Sequence, residues 1–111
     1  MKGFGGKNQS KKEKISKNKQ KVNISQLLNK AYELQAQGRK LEAAKYYIYF
    51  IKQGIKDYRV FSNYGALLNE IGKHEEAELE LKKAIKLKPD FSIAHYNLGF
   101  ILKDLCKLKE A

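Results

Sequence analysis

The stretch VFSNYGALLNEIGKHEEAELELKKAIKLKPD, residues 60–90, decides the fold. Phe61, Tyr64, Leu68 and Ile71 recur at helical spacing and give its first half one apolar stripe. Gly72 follows the last stripe residue, where a helix is expected to stop. In the second half Ala77, Leu81, Ala84 and Ile85 share a face. The opposite face passes from Glu75, Glu76, Glu78 and Glu80 to Lys82, Lys83, Lys86 and Lys88, so its charges complement the helix dipole. The spacing of Glu78 and Lys82 adds a pair worth ~0.3 kcal/mol. Pro89 forbids continuation, and Ser92 is positioned to N-cap a further helix. The stretch reads as a helical hairpin with another helix behind it. No segment alternates at period two, so strands are not expected.

Outward from this hairpin the pattern repeats every 34 residues. Copy one is 24–57, copy two is 58–91, and copy three begins at Ser92 and stops at Ala111, its twentieth position. Offset six holds Asn29, Asn63 and Asn97; offset eight holds Ala31, Gly65 and Gly99. Offset eleven holds Leu34, Leu68 and Leu102, and offset twenty holds Ala43, Ala77 and Ala111. Small residues recurring at one offset imply that two helices approach closely there in each copy. A fixed period of this length signals a solenoid of stacked helical hairpins, an architecture that binds partners and rarely catalyses. Helices are expected over 25–37, 40–53, 59–71, 74–87 and 92–105. Ala111 is expected to fall within the second helix of copy three, leaving Leu98, Ile101, Leu102, Leu105 and Leu108 without the helix that covers them. Burial of such side chains is worth about 1.5–3 kcal/mol each, so the expectation is a fragment, or a chain whose last repeat is completed by another copy or a partner. Stability in a solenoid comes from neighbour interfaces and usually needs about three repeats, so these copies should be marginal alone.

Copies two and three resemble the tetratricopeptide repeat (TPR) family. Copy two supplies Phe61, Gly65, Gly72, Ala77, Ala84 and Pro89 at the family's characteristic offsets. Copy three, IAHYNLGFILKDLCKLKEA, supplies His95, Gly99 and Ala111 but puts Cys106 where the turn glycine belongs. Copy one keeps Ala31, Gly38 and Ala43, then departs with Phe50 and Ile55. The resemblance covers 24–111 and implies an all-α, helix-turn-helix superhelix. It also implies the N-terminal part of a longer bacterial protein, continuing into further repeats or into a glycosyl- or sulfotransferase domain.

The formal charge of +11 is unevenly placed. Residues 1–23 carry eight Lys and one Glu, while the repeats carry 15 basic and 11 acidic residues. This Lys-rich leader has few apolar residues and is expected to be disordered. A basic tail can attract nucleic acid, anionic lipid or acidic protein. Against nucleic acid stand the 21 Lys with only Arg39 and Arg59, and Phe4 as the tail's one aromatic residue. No charge-free run approaches the ~20 residues of a membrane span. Cys106 is the only cysteine, which excludes an internal disulfide and fits a reducing cytoplasm.

No catalytic constellation emerges, and neither a metal nor a cofactor is expected. His74 and His95 lie at different offsets; His95 occupies the large-residue packing position and is expected to be packed, with His74 at the opening of a helix. Cys106 is expected in a turn. The Glu75–Glu80 acids read as a solvated helix face, with no calcium loop around them. Gly3, Gly5 and Gly6 form no phosphate loop, since no strand or helix flanks them.

What remains is a groove. The resemblance implies that offsets two, five, six, nine, twelve and thirteen line the concave side. The candidate peptide-binding residues are Asn29, Tyr32, Arg59, Asn63, Asn69, Tyr96, Asn97, Phe100 and Lys103, with Leu28, Gln35, Ser62, Glu70, Ile93 and Asp104 at the remaining groove offsets. This mixed polar and aromatic set suits an extended peptide or an amphipathic helix. Asn29, Asn63 and Asn97 form a ladder able to donate to and accept from a peptide backbone, or else to brace the hairpins internally. The carboxylate clamp of chaperone-binding members is not reproduced, because Leu28, Ile93 and Asn97 stand at its basic positions. Three functions follow: a non-catalytic scaffold for a protein or peptide partner, the substrate-binding repeats of a larger transferase, and nucleic-acid binding through the tail.

Overall fold

The computed structural model describes residues 24–110; the tail expected to be disordered and Ala111 lie outside the described residues. Helix α1 covers 24–36, followed by α2 (Lys40–Lys52), α3 (Tyr58–Glu70), α4 (His74–Leu87) and α5 (Ser92–Glu110), with no strand among the described residues. The fold is an all-α solenoid: α1 and α2 form one hairpin, α3 and α4 the next, and α5 packs on both helices of the second.

Three turns share one device. At Gly38 the glycine N–H bonds back to Gln35 and the Arg39 N–H reaches Leu34, at 3.0 and 2.8 Å. Gly54 repeats this pairing with Ile51 and Phe50, and Gly72 with Asn69 and Leu68. The three glycines have φ of +81°, +76° and +87°, the left-handed conformation that closes a helix with this pair of bonds. At the corresponding offset copy three has Cys106, and there the expected turn is absent. Cys106 is helical and exposed, and α5 runs on for 19 residues to Glu110. A Cβ-bearing residue resists positive φ, so the helix is not told to stop. Residues 106–110 therefore extend the first helix of copy three instead of opening its second.

The core divides into two clusters joined by α3. Leu28, Ala31 and Leu34 meet Ala43, Tyr47 and Phe50, with Val60 and Leu67 closing that cluster from α3. Phe61 and Leu68 turn the other way, onto Ala77, Leu81, Ala84, Ala94 and Ile101. Adjacent residues of α3 thus face opposite cores, so its buried stripe is wider than the four-residue stripe of the sequence. Of those four, Phe61 and Leu68 are buried, while Tyr64 and Ile71 are half-buried.

Close approach of the hairpin arms is real at Gly65. A Cβ placed there would stand 2.7 Å from Leu81 Cγ and 3.2 Å from the Ala77 carbonyl oxygen. Offsets eight and twenty therefore touch in the second hairpin, and in the first Ala31 and Ala43 are both fully buried within one core cluster. Gly99 has nothing within 4 Å of its would-be Cβ.

Capping differs from expectation at one helix. The α5 ladder opens from the Phe91 carbonyl, which accepts from Ala94 and His95, so Ser92 is the first helical residue and not the cap. An unanticipated cap holds α3: Asp57 Oδ1 accepts from the Arg59 N–H at 2.9 Å. The expected Glu78–Lys82 pair is present at 3.5 Å.

Candidate functional site: the concave face

Where α3 and α5 approach, their inner faces flank an open cavity of about 280 Å³ lined by Ala66, Asn69, Glu70, Tyr96, Asn97, Phe100 and Ile101. Ala66 leaves the space, because its methyl stands at the offset where copies one and three carry Tyr32 and Phe100. Ile101 is fully buried, whereas Tyr96 and Phe100 are 67% and 49% exposed. Their rings meet edge to face with centroids 5.0 Å apart, so each braces the other. Asn97 is half-buried and makes no side-chain hydrogen bond among the described residues. An amide in that position has donors and an acceptor to offer.

The other candidate residues separate into free and engaged groups. Asn29, Tyr32 and Lys103 are exposed on the same series of inner helices. Arg59 is spent on Asp57, reaching Oδ1 at 3.0 Å and Oδ2 at 2.7 Å. Burial alone would raise the Asp57 carboxyl, but hydrogen bonds and charge from Arg59 outweigh it and hold it below the usual range. Asn69 is likewise occupied, donating to Asp104 Oδ2 at 3.4 Å and lying against His74 Nδ1. Asn63 is half-buried against the Tyr47 hydroxyl. Burial pushes the Tyr47 phenol up to about 12, and the Asn63 side chain works against that rise. Tyr47 donates to Gln35 Oε1 at 3.2 Å. Offset six thus ties α3 to α2 of the preceding hairpin at Asn63 and is available at Asn97.

Sequence reasoning missed a ladder on this face. Gln35 donates to Glu70 Oε1 at 3.0 Å, and Asn69 donates to Asp104 across the same separation of 35 residues. Each bond joins offset twelve of one copy to offset thirteen of the next, so the signal was present as an amide followed by a carboxylate in register. The ladder fixes the spacing of α1, α3 and α5 along the groove. Lys40 adds a loose 3.7 Å pairing to Glu70.

His95 is not packed as expected. It is exposed, with Nε2 donating to the Pro89 carbonyl at 2.7 Å, because its offset points where no helix lies among the described residues. On the outer side Leu79, Leu102, Leu105 and Cys106 line a cleft of about 500 Å³ with Glu75, Glu78 and Lys109. Among the described residues no three His, Cys, Asp or Glu side chains are grouped to hold a metal, and no helix is long and apolar enough to cross a membrane.

Stacked helical hairpins closed by glycine turns, with amides and aromatics on the inner face, define an α-solenoid of helical repeats. The chain belongs to the tetratricopeptide repeat family: residues 65–105 match the family described as TPR repeat. It is also similar to Protein O-mannosyl-transferase TMTC3 of Homo sapiens, 34% identical over 84 residues. That match takes in 73% of this chain and 9% of the relative's length.

Proposed function

We propose that this chain is a non-catalytic protein-interaction scaffold whose concave face holds an extended peptide or a helix segment. The observation that carries the reading is the Tyr96–Phe100 pair beside Asn97: exposed aromatic area and an uncommitted amide converging on one cavity. Exposed rings held rigid by each other offer contact area at little entropic cost, and the amide supplies direction. Asn29, Tyr32 and Lys103 extend the surface along the solenoid, while Arg59, Asn63 and Asn69 shape it from behind. A reducing, cytoplasmic setting accords with a lone, exposed Cys106.

The test is selection of peptides from a random displayed library against the intact chain, followed by affinity measurements on Asn97→Ala and Phe100→Ala. Both substitutions should weaken a selected peptide about tenfold, in the range of interface residues that matter. Unchanged affinity in both variants rejects the concave face as the binding surface.

A second reading is favoured by the similarity to an O-mannosyl-transferase: these repeats would be the substrate-binding arm of a larger transferase. In that case the same groove would hold the acceptor segment. A downstream catalytic domain in the gene, and loss of transfer on Phe100→Ala, would support it.

A further inference from the structure

We infer that the cavity between α3 and α5 is a subsite for a basic side chain, arginine in particular, of the segment the groove holds. This rests on the groove reading and adds the chemistry of the occupant. The charged side chain on the cavity wall is Glu70; the rest of the wall is apolar, aromatic or amide. An acidic or phosphorylated side chain would meet that carboxylate, whose one counter-charge, Lys40, stands 3.7 Å away and off the cavity wall. A cation meets three complementary features. The rings of Tyr96 and Phe100 are half or more exposed and present electron-rich faces. Glu70 accepts from Gln35 at 3.0 Å and stands 3.7 Å from Lys40, which leaves acceptor positions of its two oxygens unfilled. The Asn97 amide, without an internal partner among the described residues, adds a carbonyl acceptor.

Geometry favours arginine over lysine. A guanidinium is flat, stacks on a ring face and forks to two acceptors at once, whereas an ammonium is a compact, strongly hydrated point charge. A hollow of about 280 Å³ is ample for one guanidinium and its stem. Asn69, spent on His74 and Asp104, holds the rim in place without competing for the ligand.

The probe is N-acetyl-arginine methylamide, titrated into the isotopically labelled intact chain and followed by amide NMR shifts. Saturable shifts should appear at Ala66 and at Tyr96 to Ile101. The corresponding norleucine and glutamate derivatives should bind roughly tenfold more weakly, the combined contribution of a cation over a ring and an exposed ion pair. Glu70→Gln should bring the arginine derivative part of the way to the norleucine level, leaving only the contribution of the rings, with lysine intermediate in the native chain. Glu70 is exposed enough for this variant to fold, which its circular dichroism will show. Equal binding of arginine and norleucine derivatives overturns the inference. So do shifts that gather on Glu75, Glu76 and Glu78, or affinity unaffected by Glu70→Gln. The groove reading fails separately, if library-selected peptides are insensitive to Asn97→Ala and Phe100→Ala.

Discussion

Gly65 and Gly99 hold the same offset in successive repeats, yet alanine should act on them with opposite sign. In an exposed helix interior, replacing glycine by alanine stabilises by about 0.5–1 kcal/mol through the entropy of the unfolded chain. Gly99 lies within α5 with nothing within 4 Å of the new methyl, so Gly99→Ala should gain that amount in full. At Gly65 the methyl would sit 2.7 Å from Leu81 Cγ and 3.2 Å from a main-chain oxygen. Leu81 is fully buried and has no room to swing away, so α3 and α4 must part. Overpacking of this kind costs about 1–3 kcal/mol, leaving a net loss of about 1 kcal/mol after the propensity gain. The two variants should then differ by about 2 kcal/mol, which in a domain of this size separates their Tm values by about 10 °C. Thermal and urea unfolding followed at 222 nm on the 111-residue chain reads this directly. If Gly65→Ala is as stable as Gly99→Ala, the arms do not meet at these offsets and the packing account fails.

Asp57→Ala removes the α3 cap and its exposed pairing to Arg59, and should cost about 1–2 kcal/mol in urea unfolding, whereas Asp57→Asn should keep the cap and lose less. Because the folded Asp57 pKa is depressed, its stabilisation is present above the ordinary carboxylate range and lost as pH falls through the folded value; the acid limb of a stability–pH profile should flatten in Asp57→Asn. The raised Tyr47 phenol acts at the other end: its contribution is complete below pH 10 and is lost as pH rises toward about 12, a loss that Tyr47→Phe should abolish at high pH while costing about 1 kcal/mol at neutrality. Cys106→Gly should fray or turn α5 at its end, seen as faster amide exchange in residues 107–110, since it restores the residue that permits positive φ; unchanged protection there would contradict the glycine account of the missing turn.

Most of the fold was legible because helix stops and helix contacts are written in single residues. Gly38 and Gly72 marked turns that form as expected, and Ala43, Ala77 and Gly65 marked the hairpin contacts. Cys106 misled because a family offset was given more weight than the residue standing there; the side chain, and not the period, decides whether a helix stops. His95 misled for a related reason, since its offset is a packing position only when a further helix covers it. The two-sided burial of α3 was harder to see, because Val60 and Leu67 belong to a contact between repeats and not to the hairpin's own stripe. On the concave face the offsets placed the candidate residues on α1, α3 and α5, where the structure brings Tyr96 and Phe100 together. They did not say which polar residues were already committed. Arg59 and Asn69 look alike in sequence to Lys103 and Asn97, and only the positions of Asp57, His74 and Asp104 separate spent groups from free ones.

The central claim is that a partner segment lies along α3 and α5 on the inner face. Amide shift mapping of the labelled chain with a library-selected peptide tests it most directly. The predicted result is a set of perturbed residues running through Ala66, Asn97 and Phe100. Perturbations confined to the outer face of α2 and α4, around Lys45, Glu76 and Lys83, would contradict it.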